Sequence, residues 1–177
     1  LELCDPLHPI VFNDLFCLSQ PGLHTISVGA ARPEDLDRHL EAVALLERAP
    51  ELLAPIQARL EQVRLQVLGA DWLNSWSQGL PPWQETPGGL NLPVLLWLSN
   101  LVQAWDLVGF ARARYGLLGQ GSHWFPGANA DALDAGVSEE ELRSVLAASP
   151  WRDQIPSRLR QLRERVGGQT VQRLSSA

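Results

Sequence analysis

The run "LHTISVGAA", residues 23–31, is the one stretch of this chain that reads as a β-strand, and the segments around it read as helix. Thr25, Ile26 and Val28 are β-branched, Gly29 closes the run, and Leu23 and Ala30 flank it with apolar side chains. That is the pattern of a buried strand. A lone strand cannot satisfy its own backbone N–H and C=O groups. Residues 24–28 are therefore expected to pair with strands this sequence does not encode. The chain reads as the end of a larger fold, or as one that needs a partner chain.

The remaining pattern is helical. "PIVFNDLFCLSQPG" opens on Pro9, carries Val11, Phe12, Leu15 and Phe16, and stops at Pro21-Gly22. "RPEDLDRHLEAVALL" sets Pro33 in a first helical turn with Glu34 and Asp35 at the positive helix end. Leu36, Leu40 and Val43 supply its apolar stripe, and a further helix runs from about Pro50 to Leu68 with Ile56, Leu60, Val63 and Val67 on one face. After Gly69 the sequence predicts a long loop holding Trp72, Trp76 and Trp83, then one apolar helix from Pro93 to about Tyr115. A second loop, "GQGSHWFPGANADALDAG", follows. Ser138 and Glu141 then stand at capping-box spacing, "PSRLRQLRERV" forms a last helix, and the tail from Gly167 reads as frayed. The expectation is a mainly α chain with domains at 1–68 and 69–177.

Composition narrows the classes of function. Apolar residues make up 45% and charged residues 19%, which suits a folded chain rather than a disordered one. The net charge of −6, with no basic block, argues against nucleic acid and against an anionic membrane surface as the main partner. No apolar run reaches the roughly 18 residues of a membrane helix, and the start lacks the basic and apolar regions of a signal peptide. The sequence has no Met and no Lys, so it reads as a processed product or a piece of a longer protein. Cys4 and Cys17 are too few for a disulfide scaffold, which leads to the expectation of a cytoplasmic chain.

One spacing occurs twice. "TPGGLNLP" (86–93) and "SPWRDQIP" (149–156) each read hydroxyl residue, Pro, four residues, a branched apolar residue, then Pro at the start of a helical run. A helix start explains the second proline of each but not the first. With 13 prolines in the chain, coincidence is a competing explanation.

These pieces resemble a known family. "HTISVGAARPEDLDRHLEAV" resembles the last strand, turn and helix of aldo/keto reductases, and "PLHPIVFNDLFCLSQPGLHTISVGA" resembles the helix and connection before it. The resemblance implies the end of a (β/α)8, TIM-type barrel, with ligands at the C-terminal ends of its strands. One branch of that family carries a ferredoxin-like extension with two Cys-x-x-Cys-x-x-Cys-x-x-x-Cys-Pro runs. The two repeated segments are similar to the ends of those runs, with Thr86 and Ser149 in place of the final Cys. Counting back places Trp76, Gly79 and Pro82 in the first run and Glu139, Leu142 and Val145 in the second. No cysteine remains in either, so no iron–sulfur cluster is expected and 69–177 resembles a degenerate, Trp-rich ferredoxin-like domain.

The same resemblance implies a site for the adenosine phosphate of a nicotinamide cofactor, NADP, made from Ser27, Gly29, Ala30, Arg32, Asp35 and His39. The family's usual Arg falls on Ala31, with Arg32 one step later, and His39 stands where an Asn contacts the adenine. Helix N-terminal N–H groups plus an Arg suit a phosphate. A plain helix cap with a solvated Arg, and a purely structural Ser27, explain the same residues equally well. The family's catalytic Asp, Tyr, Lys and His would lie on earlier strands, so no catalytic residue is expected here.

Other groupings are weaker. His8, His24, His123, Cys4 and Cys17 match no ordinary zinc spacing, and no metal site is expected. Ser122, His123 and Asp131 lack the glycine pattern of a nucleophile elbow. The Trp residues suit either a stacking platform or packing glue. Two functions follow as expectations. One is the C-terminal portion of an NAD(P)H-dependent aldo/keto-reductase-like oxidoreductase, partnered by the remainder of its barrel. The other is a non-catalytic helical interaction module.

Overall fold

The computed structural model describes residues 2–121 and 124–168, and the chain divides into two compact units with the boundary between Val63 and Arg64. The expected frayed tail from Gly167 falls mostly outside the described residues.

Unit 1 is built on α1 (Pro9–Leu18), α2 (Pro33–Ala44) and the first part of α3 (Ala49–Leu68). α1 and α2 pack on each other. Their core is Leu7, Val11, Leu15, Ala42, Ala49, Leu53 and Ile56. The Arg59 guanidinium donates to the Glu2, Leu3 and Asp5 carbonyls and ties the first turn of the chain to α3. Pro9 and Pro33 open their helices as the sequence predicts, because a missing N–H costs nothing in a first turn.

Two expectations for this unit are corrected. Residues 23–30 adopt no regular secondary structure, and among the described residues no β-strand is present. Seven of those eight residues are exposed, with only Ile26 half-buried. The physical reason is the one the sequence raised: an isolated extended segment has no ladder to join. The α2 stripe also lies on the opposite face to the one expected. Leu36, Leu40 and Val43 are 52%, 68% and 56% exposed, while Asp35 and Ala42 are buried. The inward face of α2 is set by Asp35 and His39, which find polar partners there.

Unit 2 continues with α4 (Ala70–Ser75), α5 (Leu92–Trp105), α6 (Val108–Tyr115), α7 (Glu139–Val145) and α8 (Ile155–Val166). α5 is its centre. Leu92, Leu95, Leu96, Leu98, Ser99, Val102 and Ala104 are all buried, and α8 and α6 pack against it. α8 brings Ile155, Leu159, Leu162 and Val166 to the same core. The Ser138–Glu141 capping box forms as its spacing predicts, with Glu141 N–H donating to the Ser138 hydroxyl at 3.2 Å.

The expected single helix over 93–115 is broken. Asp106 adopts left-handed backbone (φ 54°) and caps α5, and its carboxylate meets Arg165 on α8. The expected loop after Gly69 begins as the short helix α4, since Gly69 at φ 80° only turns the chain before helix resumes. Among the described residues no helix is long and apolar enough to cross a membrane, in keeping with the sequence.

The contrast between the segment 23–30 and α5 is measurable. Amides of Thr25, Ile26 and Val28 are expected to exchange with solvent deuterium close to the unprotected rate. Those of Leu95, Leu98 and Val102 are expected to exchange only on opening of the core. Comparable protection of the two sets in a proven monomer would contradict the exposed, unpaired backbone described here.

Candidate functional site

Two regions bring chemistry-bearing residues together, one in each unit. In unit 1, α1 contributes Asn13, Asp14 and Cys17, α2 contributes His39, and the segment joining the two helices contributes Ile26, Ser27, Val28 and Gly29. These groups line an open cavity of about 560 Å³.

Its polar centre is a pair the sequence reading missed. Asp14 is only 3% exposed, and its Oδ2 lies 2.5 Å from His39 Nδ1. Asn13 Nδ2 approaches the other Asp14 oxygen at 3.4 Å. The hydrogen bond to Asp14 raises the His39 pKa above the ordinary imidazole value, against an opposing desolvation effect, and the Gly29 carbonyl beside the ring acts in the same direction. Yet His39 Nε2 is buried without a hydrogen bond of ordinary geometry. The signal for Asp14 was present in the sequence. An Asp between Val11 and Leu15 on the apolar stripe of α1 is a charge placed where only a paired charge can stay.

Three of the residues implied by the family resemblance, Ser27, Gly29 and His39, share the walls of this cavity. Ala30, Arg32 and Asp35 do not line it. The Asp35 carboxylate accepts from the Ala31 and Arg32 N–H groups at 2.9 and 3.1 Å. It thus sits in the anion position at the start of α2, and these backbone bonds, that of Arg32 first, hold its carboxyl below the usual pKa range. The Arg32 side chain is 75% exposed and stands 3.8 Å from Asp35 Oδ1. Because the folded pKa of Asp35 is depressed, its cap contributes above the unfolded carboxylate pKa. That contribution is lost as pH falls through the folded value.

In unit 2 the two repeated segments are used alike. Leu92-Pro93 and Ile155-Pro156 occupy the first two positions of α5 and α8, the helices that pack together at the centre of the unit. Thr86 and Ser149, 7% and 5% exposed, are both buried hydroxyls. Thr86 Oγ1 lies 2.8 Å from the carbonyls of Trp83 and Leu90, and Ser149 Oγ accepts the Trp151 N–H at 3.2 Å.

The surroundings of these hydroxyls cross over. Gly79 precedes the first segment but abuts the second: a Cβ at Gly79 would lie 2.2 Å from the Ala148 carbonyl oxygen and 2.8 Å from Ser149 N. Thr86 and Pro87, in turn, share a surface recess with Glu141, Ser144 and Val145. A Cβ at Gly88 would lie 2.7 Å from Val137. Each segment is therefore seated against the chain that leads into the other.

Trp72, Trp76 and Trp151 are packing groups. Trp72 is buried, donates its Nε1–H to Asn100 at 2.7 Å, meets the edge of Trp151 at 5.3 Å between centroids, and carries the Arg158 guanidinium 3.7 Å above its ring. Trp151 donates to the Ser75 hydroxyl at 3.0 Å. Trp76 packs on the core of the unit. Tyr115, the one tyrosine in the sequence, donates to Asp131 at 2.8 Å. Burial and that hydrogen bond push its phenol well above the ordinary value, so it is a structural donor rather than a poised acid. Asp131 also meets Arg163. Ser122 and His123, with which Asp131 was grouped in the sequence, lie outside the described residues. Among the described residues, no three His, Cys, Asp or Glu side chains are arranged to hold a metal ion.

Thr86→Ala and Ser149→Ala are each expected to lower the stability of unit 2 by about 1–3 kcal/mol, the usual cost of leaving a buried partner unsatisfied. Urea unfolding followed by tryptophan fluorescence would measure both, and two neutral variants would contradict the matched roles. Lowering the pH through the folded value of Asp35 is expected to fray the first turn of α2, read from the Ala31 and Arg32 amide resonances. Compared with protein-family models, with characterised proteins and with solved structures, the chain gives no match.

Proposed function

We propose that the chain is the C-terminal portion of an NAD(P)H-dependent aldo/keto-reductase-like oxidoreductase. In this reading unit 2 is a helical extension derived from a two-cluster ferredoxin arrangement that no longer holds iron. The observation that carries it is the crossed seating of the repeated segments. In two-cluster ferredoxins the fourth Cys of each run ligates the other cluster. Ser149 lies against Gly79 and Thr86 beside Val145, proximities that support such an exchange between runs.

The nucleotide part of the proposal draws on the cavity of unit 1. Ser27, Gly29 and His39 gather there, and the exposed Arg32 guanidinium stands at the start of α2. Arg32 would pair with the adenosine phosphate of NADP, and the Ser27 hydroxyl and the Gly29 and Ala30 backbone would supply further hydrogen bonds. The Ala31 and Arg32 amides are already held by Asp35, so the fit is carried by the side chain of Arg32 more than by the helix terminus. The cofactor supplies hydride to a carbonyl substrate in such enzymes. With no Lys in the chain and Tyr115 committed to Asp131, the acid that completes the reduction would come from the remainder of the barrel.

A second reading, a non-catalytic helical interaction module, draws on the surface group of Trp97, Phe110 and Arg114. There the rings meet edge to face at 5.9 Å, and the guanidinium lies 3.8 Å over Phe110. An in-frame series of strand–helix units upstream of Leu1, carrying Asp, Tyr, Lys and His, would favour the enzyme. A start codon immediately upstream would favour the module.

Titration with 2′,5′-ADP, the phosphate end of NADP, is expected to perturb the amide resonances of 27–39. Arg32→Ala is expected to weaken NADPH more than NADH, by about 1.5–3 kcal/mol for a lost charge-assisted hydrogen bond. Equal small effects on both cofactors would remove the nucleotide part of the proposal. Reconstitution with iron and sulfide is expected to leave the chain colourless, and a brown product with stoichiometric iron and sulfide would overturn the cluster-less reading.

A further inference from the structure

We propose that the recess beside Trp72 in unit 2 is a binding site for a free α-amino acid with a small apolar side chain, the Arg158 guanidinium taking its carboxylate and the Asp71 carboxylate its ammonium group. The recess holds about 270 Å³, and Leu68, Asp71, Trp72, Trp151 and Arg158 are in its walls. It shares no residue with the cavity of unit 1, so it stands or falls apart from the nucleotide reading.

Arg158 is held in place by the protein itself. Its guanidinium lies 3.7 Å above the Trp72 ring, and its Nη1–H donates to Gln103 Oε1 at 2.9 Å. Gln103 is fixed in turn, its Nε2–H donating to the Ser99 hydroxyl at 2.9 Å. Trp72 is anchored by Asn100, and Trp151, which meets it edge to face, is anchored by the Ser75 hydroxyl. Stacking of this kind keeps the guanidinium fork in one plane and leaves its edge for a planar oxyanion.

The charge of this guanidinium is unmatched. Arg38, Arg143, Arg160 and Arg163 each stand within ion-pair distance of a carboxylate, and with 20 acidic residues in the chain carboxylates are not scarce. Arg158 has no such partner among the described residues, and no hydrogen-bond acceptor there besides Gln103. Burial lowers its pKa, and no neighbouring carboxylate acts against that effect. Its remaining N–H groups are not closed off from solvent as Arg112 Nε is.

Asp71 lines the same recess without pairing with Arg158. Its carbonyl takes the Ser75 hydroxyl, while its carboxylate accepts no hydrogen bond among the described residues. Opposite charges in one recess gain by closing on each other. Held apart, they match a molecule that carries both. A phosphate dianion would be drawn to Arg158 and repelled by Asp71, whereas a zwitterion suits the two. Leu68, Trp72 and Trp151 supply apolar surface for its side chain. The volume lies below the roughly 300–1,000 Å³ of pockets that take drug-sized ligands, so the occupant is small.

Nitrogen-15 NMR of the whole chain, titrated with L-leucine to ~20 mM, tests this, since that concentration nearly saturates a site with a Kd of about 1 mM. The Gly69 amide and the Trp72 and Trp151 indole resonances are expected to move along one saturation curve, with Trp97, off the recess, unmoved. Isocaproate, which lacks the ammonium group, and isopentylamine, which lacks the carboxylate, are each expected to bind about tenfold more weakly, the loss of one charge-assisted hydrogen bond. Inorganic phosphate is expected to leave these resonances in place. Arg158→Gln is expected to abolish binding, and Asp71→Asn to bring L-leucine down to the affinity of isocaproate. Resonances that L-leucine leaves unmoved would overturn the site, as would isocaproate or phosphate binding as tightly as L-leucine. If Arg158→Gln does not fold, the ligand series on the wild-type chain and Asp71→Asn, at an exposed position, decide the matter.

Discussion

Unit 2 depends on α5 being apolar on nearly every side. A helix of that kind cannot lie on a surface and must be surrounded. Leu92, Leu95, Leu96, Leu98 and Val102 leave few faces for water, and so α6 and α8 and the loop segments through Leu90 and Ala130 close around it. Truncating any one of these leucines would remove burial and leave a void, a cost of about 2–5 kcal/mol. The polar features of the unit are secondary to this. The Trp72–Asn100 hydrogen bond, the Arg158 stack and the Tyr115–Asp131–Arg163 group each dock one surrounding element onto a core that the leucines have already defined.

Unit 1 rests on a different balance. Its apolar core is small, and its inter-helix contact contains a buried carboxylate. Removing only one member of such a pair leaves an uncompensated group and is costly, so Asp14 and His39 hold each other in place. The same pairing turns α2 so that Asp35 and His39 face inward and Leu36, Leu40 and Val43 face outward. The exposed stripe and the unpaired segment 23–30 lie in the same unit.

Much of the fold was legible in the sequence because its signals were local. Pro9, Pro33, Pro93 and Pro156 start helices, and the Ser138–Glu141 box caps one. What was not legible depended on tertiary partners. The apolar repeat runs through Asp106 without interruption, and the break there is fixed by an αL residue whose carboxylate meets Arg165 from a distant helix. The amphipathic face of α2 looks like a core stripe until Asp14, twenty-five residues away, is known to be buried opposite it. The β-branched run at 24–28 has strand propensity, but propensity cannot supply a neighbour. Ser27, Gly29 and His39, chosen for their residue types at motif positions, line one cavity. Asp14 lay outside any motif and was marked only by its place on an apolar stripe.

The contact at Gly79 constrains two segments at once. Its backbone is left-handed, and the space a Cβ would need is filled by the Ala148 carbonyl and Ser149 N. Any side chain introduced at Gly79, cysteine included, must first push back the main chain of the segment opposite. Changes at 148–150 that relax this contact lose the packing of two segments at once.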